Sequence, residues 1–279
     1  MVLRPLRKLA LPAATQAVHD TWLRNLNTSL SADGADWNLI CRDTLFELWY
    51  PGQGRYESCR PSGPAAEAAL LALDPRNITL EPEYYDECDQ AAFARVKPLL
   101  WLWYSFDRTP LGAQNVQLGV EFRRLLAPRI FRRCGRNFKC FQHVEFSFGY
   151  NMEVGDDVVV HRHVLLDDRG GIVMGNRVSI SDYANIYSHT HSIVDQRDVT
   201  NAVTTLEDDV RITYHATVLA GTRVGTNGMV GAVALATKDV KPFHVNVGIP
   251  AKSIRVKPNA PPTAYVTERV ARRSDEPTG

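Results

Sequence analysis

The chain has no CxxC pair, no long apolar run and almost no net charge, and each absence narrows what it can be. Its five cysteines, Cys41, Cys59, Cys88, Cys134 and Cys140, are odd in number and widely spread. That argues against a disulfide framework or a cysteine-built zinc site, and for reduced thiols in a cytoplasmic protein. The most apolar stretch, VKPLLWLWYSF from Val96 to Phe106, is far shorter than the roughly 20 residues that span a bilayer, so no integral membrane segment is expected. A formal charge of +1 provides no global field to attract nucleic acid or an anionic membrane. The opening MVLRPLRKLALPAATQAV has early basic residues, but Pro5 and Pro12 break its apolar part, and no targeting peptide is expected.

What is present is a chain of 279 residues written in two grammars. Residues 1–137 read as a helical N-terminal region. TQAVHDTWLRNL, ADWNLICRDTLFELW, PAAEAALLALD and QAAFARVKPLLWLWYSF carry apolar residues at three- and four-residue spacing, separated by Pro- and Gly-rich breakers. Asn115 to Arg133 forms a further helix with Pro128 inside it. Arg123 to Lys139 holds seven basic residues and no acid, which reads as a solvated helix face. Trp101, Trp103, Tyr104 and Phe106 read as packing the helical half onto the second half or onto a partner.

After Phe138 aliphatic residues recur every six positions: Val154, Val160, Leu166; Met174, Ile180, Ile186; Leu206, Ile212, Val218, Val224, Val230. Four residues after each stands a small or β-branched residue, as in Val158, Ala184, Ala216 and Ala234. A helix repeats at 3.6 and a free strand at 2, so neither accounts for six. A triangular parallel β-helix does. Each hexad forms one flat side, three complete a coil, and the aliphatic side chains stack inward in a single column. The repeat predicts about five coils over residues 138–257, followed by a tail over 258–279. It slips by two residues near Ile172-Val173 and is interrupted from Ser192 to Thr205.

The segments FSFGYNMEVGDDV, VLLDDRGGIVMGNRVSISDYANIYSHTHSIVD and VGAVALATKDVKPFHVNVGIPAKSIR resemble the hexapeptide-repeat acyltransferases of left-handed β-helix fold, in particular the maltose, galactoside and nodulation-type O-acetyltransferases. The resemblance covers a little under half of the chain. It implies a homotrimer, acetyl-CoA as acyl donor, and an O-acetyl transfer to a hydroxyl of a sugar or other small-molecule acceptor, with an amine also compatible. In that family a loop leaves the coil just after the catalytic histidine. Matching NIYSHTH to this motif places His191 at the catalytic position and makes His189 a surface or interface neighbour. By the same matching His161, His163 and Asp168 lie near the acceptor, the two histidines standing where the family usually has asparagine. Tyr214, Ala234, Thr237, Lys238, Lys252 and Arg255 match the donor side. Val233 replaces a glycine that lets the pantetheine arm pass close to the backbone.

The residue type suits the chemistry. Acetyl transfer from a thioester to a hydroxyl needs a proton removed as the oxygen attacks, and imidazole titrates near neutrality. Two other readings remain. His161/His163 and His189/His191 are His-x-His pairs about a coil apart, and trimeric proteins resembling γ-class carbonic anhydrases hold zinc with histidines of two subunits, so a zinc-dependent hydratase or hydrolase is the runner-up. The third is a non-catalytic scaffold in which the prism only trimerises the helical half.

Overall fold

The computed structural model describes residues 10–264. The first nine residues, which open the N-terminal stretch weighed for targeting, and residues 265–279 of the tail lie outside that range. The chain forms two compact units. One comprises the residues up to Thr79 together with Lys97–Leu126, the other Leu80–Val96 together with the residues from Ala127 onward.

The helices are α1 (Ala13–Leu30), α2 (Trp37–Trp49), α3 (Pro64–Leu71), α4 (Gln90–Phe106) and α5 (Val116–Ile130), the last two contributing to both units. Local chemistry sets their starts. The Asp36 carboxylate accepts from the Asn38 and Leu39 amides at the head of α2, and Pro64 opens α3 where a missing N–H costs nothing. In the first unit Leu99, Trp103 and Phe106 follow one another on a buried stripe of α4. Phe106 stacks 4.0 Å from Phe122 and 6.0 Å from Trp22, so these aromatics are core of the helical unit itself. Arg123 departs from the reading of a solvated basic face: it is 1% exposed and ion-paired with buried Asp107. Among the described residues no helix is long and apolar enough to cross a membrane, and no disulfide joins the five cysteines.

The second unit is a parallel β-helix of about six turns. One face stacks Arg133–Cys134, Met152–Val154, Ile172–Met174, Thr204–Leu206 and Arg223–Val224; the other two carry seven and five strands. Val154 pairs with Met174, Val160 with Ile180 and Leu166 with Ile186, so residues one coil apart lie in register. All eleven aliphatic positions of the six-residue repeat are 0% exposed. At about 1.5–3 kcal/mol for each buried side chain, this column is the main stabilising term of the unit.

One coil more is present than the aliphatic pattern announces. Cys134, Cys140 and Phe146 pair with Val154, Val160 and Leu166, and their chemistry hides them from an aliphatic count. Two corners of each coil are tight. Eleven non-glycine residues have φ between 54° and 64°, each three positions after an inward side chain, as Asp157 follows Val154 and His163 follows Val160. Glycine after the inward residue has a packing cause: a Cβ on Gly155 would lie 2.5 Å from the Gly175 carbonyl oxygen of the next coil.

The third corner is where the chain loops out. The two-residue slip is absorbed by the Asp168–Gly171 turn, closed by a 3.0 Å bond from the Gly171 amide to the Asp168 carbonyl. The long interruption begins earlier than Ser192. His189–His191 already leaves the coil and pairs antiparallel with Val199–Asn201, and the coil resumes at Thr204. Thr190 is therefore exposed instead of filling an inward small position.

Candidate active site

The loops of the third corner stack upon one another, and the stack positions the imidazoles. Asp167, at the end of the strand Leu165–Asp167, is 2% exposed. Its carboxylate accepts from Ser147 Oγ at 2.7 Å in the coil before and from the Ser188 amide at 3.4 Å in the coil after. It also accepts from Nδ1 of His189. A carboxylate oxygen can only accept from a ring nitrogen that bears hydrogen, so Nε2 of neutral His189 is the acceptor, and Arg169 donates to it at 3.2 Å. Arg169 is in turn held by Glu87, through Nε at 2.6 Å and a second guanidinium nitrogen, and lies 4.1 Å above the ring of Tyr85.

His191 stands two residues along the same strand. It is exposed, and its ring meets that of His189 edge to face at 5.2 Å. Nδ1 donates to the Gln196 carbonyl across the hairpin at 2.6 Å, which fixes the tautomer and leaves Nε2 as the basic nitrogen. The hairpin turn holds its own shape. Ser192 Oγ accepts from the Val194 amide at 3.2 Å, and Asp195 binds Arg197 at 2.8 Å. Ile193 and Val194 at the tip are fully exposed. Tyr84, Glu87, Arg169, His189, His191 and Asn201 are among the residues lining an open cavity of about 810 Å³.

Of the residues that the resemblance places at catalytic, acceptor or donor positions, His191 alone lines this cavity. Asp168 is fully buried, and its carboxylate accepts from the Phe148 amide at 2.6 Å and the Asn151 amide at 3.1 Å. Its oxygens tie one corner loop to the next; the carboxylate that reaches an imidazole is its neighbour Asp167. His161 and His163 lie around a different corner. His161 stacks on Phe141 at 4.9 Å, and burial pushes its pKa down. His163 belongs to a column of rings at tight-corner positions, His143, His163, Tyr183 and His215, each 4.7–4.8 Å from the next. Tyr214, half exposed, meets His215 edge-on at 4.2 Å, and its carbonyl accepts from the Val233 amide, so it shares that edge. Ala234 is 1% exposed with its side chain in the core, whereas Thr237, Lys238, Lys252 and Arg255 are exposed on the last coils.

Four residues of the arrangement were not singled out from sequence: Asp167, Arg169, Tyr85 and Glu87. His189, read as a surface neighbour, is instead clamped at both nitrogens, its side chain 16% exposed. The only local signal was the DDR run at 167–169, which does not tell which carboxylate faces which way. Among the described residues, no group of three or more His, Cys, Asp and Glu side chains is arranged to hold a metal ion.

Asp168 gives a stability prediction of definite sign. Burial pushes its carboxyl up to about 6, against the lowering effect of the backbone N–H donors. A folded pKa above the unfolded value of 3.8 means a contribution present below pH 4 and lost as pH rises through about 6. Relative to Asp168→Asn, the natural protein should therefore lose about 2 kcal/mol of unfolding free energy between pH 4 and pH 7. Urea titrations of both proteins at the two pH values measure it.

No family model matches the chain. The galactoside O-acetyltransferase of Escherichia coli K12 is 26% identical over 140 residues, 49% of this chain and 69% of that protein. The enzyme of the same name from Lactococcus lactis is 27% identical over 175 residues, 60% of this chain and 81% of that one. A hexapeptide-repeat-containing acetyltransferase from Vibrio cholerae, solved with acetyl coenzyme A, superposes with a TM-score of 0.52 at 21% identity, covering 66% of this chain and 98% of that one. This last likeness bears on fold alone. With a fully buried column at six-residue spacing and sequence similarity running through the coils, the chain has the fold of the hexapeptide-repeat acyltransferases and is similar in sequence to acetyltransferases of that kind.

Proposed function

We propose that the protein is an acetyl-CoA-dependent O-acetyltransferase, with His191 as general base toward a hydroxyl of a sugar or other small molecule. The observation that carries this reading is the bond from His191 Nδ1 to the Gln196 carbonyl, which leaves Nε2 unprotonated in the neutral ring at the wall of an open cavity. Such a nitrogen takes the hydroxyl proton as the oxygen attacks the thioester carbonyl. The same proton then returns to the departing thiolate of CoA, so the base is regenerated. A rigid coil corner supplies the orientation that makes such a step fast.

The donor would lie along the edge shared by His163, Tyr183, Tyr214 and Val233, with Thr237, Lys238, Lys252 and Arg255 toward the nucleotide and phosphates. Relatives solved with acetyl coenzyme A and coenzyme A support that choice of donor. In the homotrimer we propose, one protomer's His163 edge would face the next protomer's hairpin. The fully exposed Ile193 and Val194 at the hairpin tip favour burial against a neighbour. Calorimetric titration with acetyl-CoA, paired with a free-thiol assay on a panel of sugars, tests the function. Micromolar binding and acceptor-dependent thiol release are expected, and a chain that binds no acetyl-CoA would be a scaffold instead.

A further inference from the structure

Glu87 stands outside the hexapeptide repeats, yet it belongs to the same compact unit as the coils and reaches their third corner. From it a single path runs inward: Glu87 to Arg169, Arg169 to Nε2 of His189, Nδ1 of His189 to Asp167. His189 meets His191 edge to face. The Arg169 side chain is 6% exposed and that of Glu87 26%, so their charges act on one another through a medium poorer in water than the surface.

We propose that Glu87 is a positioning residue of the site: it balances the buried Arg169 cation that donates to His189, whose ring meets that of His191, and so sets the charge under which His191 works. This rests on His191 being the base.

The surroundings support the assignment. Among the described residues Asp167 is the other deeply buried charge touching His189, and it takes the Nδ1 hydrogen. Tyr187 lies edge-on to His189 at 6.4 Å, and Asn201, paired with His189 across the hairpin, is an uncharged amide. Of the remaining charged groups on the cavity wall, Arg197 is paired with Asp195, and Asp86 and Asp198 are exposed and screened by solvent. Burial works against ionisation of Glu87, but hydrogen bonds from the backbone and from Arg169 outweigh it and hold its carboxyl below the usual range. Glu87 therefore carries its negative charge near neutral pH, on the wall of the cavity that it shares with the two imidazoles. Without it Arg169 would face them unbalanced; without Arg169, Glu87 and Asp167 would together hold a proton on the pair.

The test is the pH dependence of kcat/KM for acetyl transfer, measured on the full-length protein with its best acceptor. Glu87→Gln keeps the shape and leaves the cation unbalanced. Imidazolium is then disfavoured, the base is free at lower pH, and the rising limb moves to lower pH by about half a unit, a roughly threefold gain on the limb relative to the plateau. Arg169→Gln must move the limb the opposite way, and Glu87→Asp must return it toward the natural position. A contact that only holds the segment in place would lower kcat evenly at every pH. Limbs that stay put in folded Glu87→Gln and Arg169→Gln proteins, or that shift in the same direction, overturn the proposal. Should Glu87→Gln fail to fold, the sign of the Arg169→Gln shift decides alone. His191→Ala separates the two readings. Near-normal turnover in that variant removes the base itself, whereas an inactive His191→Ala with unmoved limbs elsewhere removes only the role of Glu87.

Discussion

Replacing His191 with alanine should cut kcat by at least about a hundredfold, with the KM for acetyl-CoA changed little and the assembly state unaltered. The ring is exposed and contributes nothing to the buried column, so its loss costs the fold almost nothing. What it costs is the proton acceptor. A hydroxyl ionises far above neutral pH, and its oxygen attacks a thioester slowly unless the proton leaves with the attack. The neighbouring His189 cannot take over, because both of its nitrogens are already engaged, by Asp167 and Arg169. Steady-state kinetics with a thiol reagent, alongside size-exclusion chromatography, give the result. Turnover within a few-fold of the natural protein would show that the base lies elsewhere.

The second large effect belongs to the helical unit. Asp107→Ala should destabilise it by about 3–5 kcal/mol, because it removes the buried carboxylate that is ion-paired with the buried Arg123 guanidinium. Arg123 is 1% exposed, and Trp103, 5.9 Å away, is fully buried beside it. On that scale the thermal midpoint of the helical unit should fall by more than about 10 °C. Replacing both partners with apolar residues, as in Asp107→Leu with Arg123→Met, should recover most of the loss, since the desolvation cost goes with the charges. Differential scanning calorimetry on the three variants measures both results. A midpoint unchanged by Asp107→Ala would mean the pair is solvated in solution.

The coil was legible because its signal is periodic and physical. An inward column admits only dry side chains, and eleven aliphatics at six-residue spacing leave few alternatives; all eleven are buried. The extra coil at Cys134, Cys140 and Phe146 was not legible, since a buried thiol and a ring do the same work as valine without looking like it. The helices were readable from their three- and four-residue spacing, and α4 and α5 span the segments the pattern marks. The basic run misled at Arg123, because charge counted along the chain takes no account of a carboxylate sixteen residues away.

Local order along the chain determined the architecture: where the column lies, where the coil breaks, and that a histidine stands at the break. Only the tertiary structure decided what surrounds that histidine. Which of two adjacent aspartates turns toward an imidazole depends on how three corner loops stack. That Glu87 meets Arg169, 82 residues later, depends on how the segment before the coils folds back against them. Short-range periodicity is written into each hexad, whereas the pairing of charges is settled by folding, which brings together groups that no spacing rule connects.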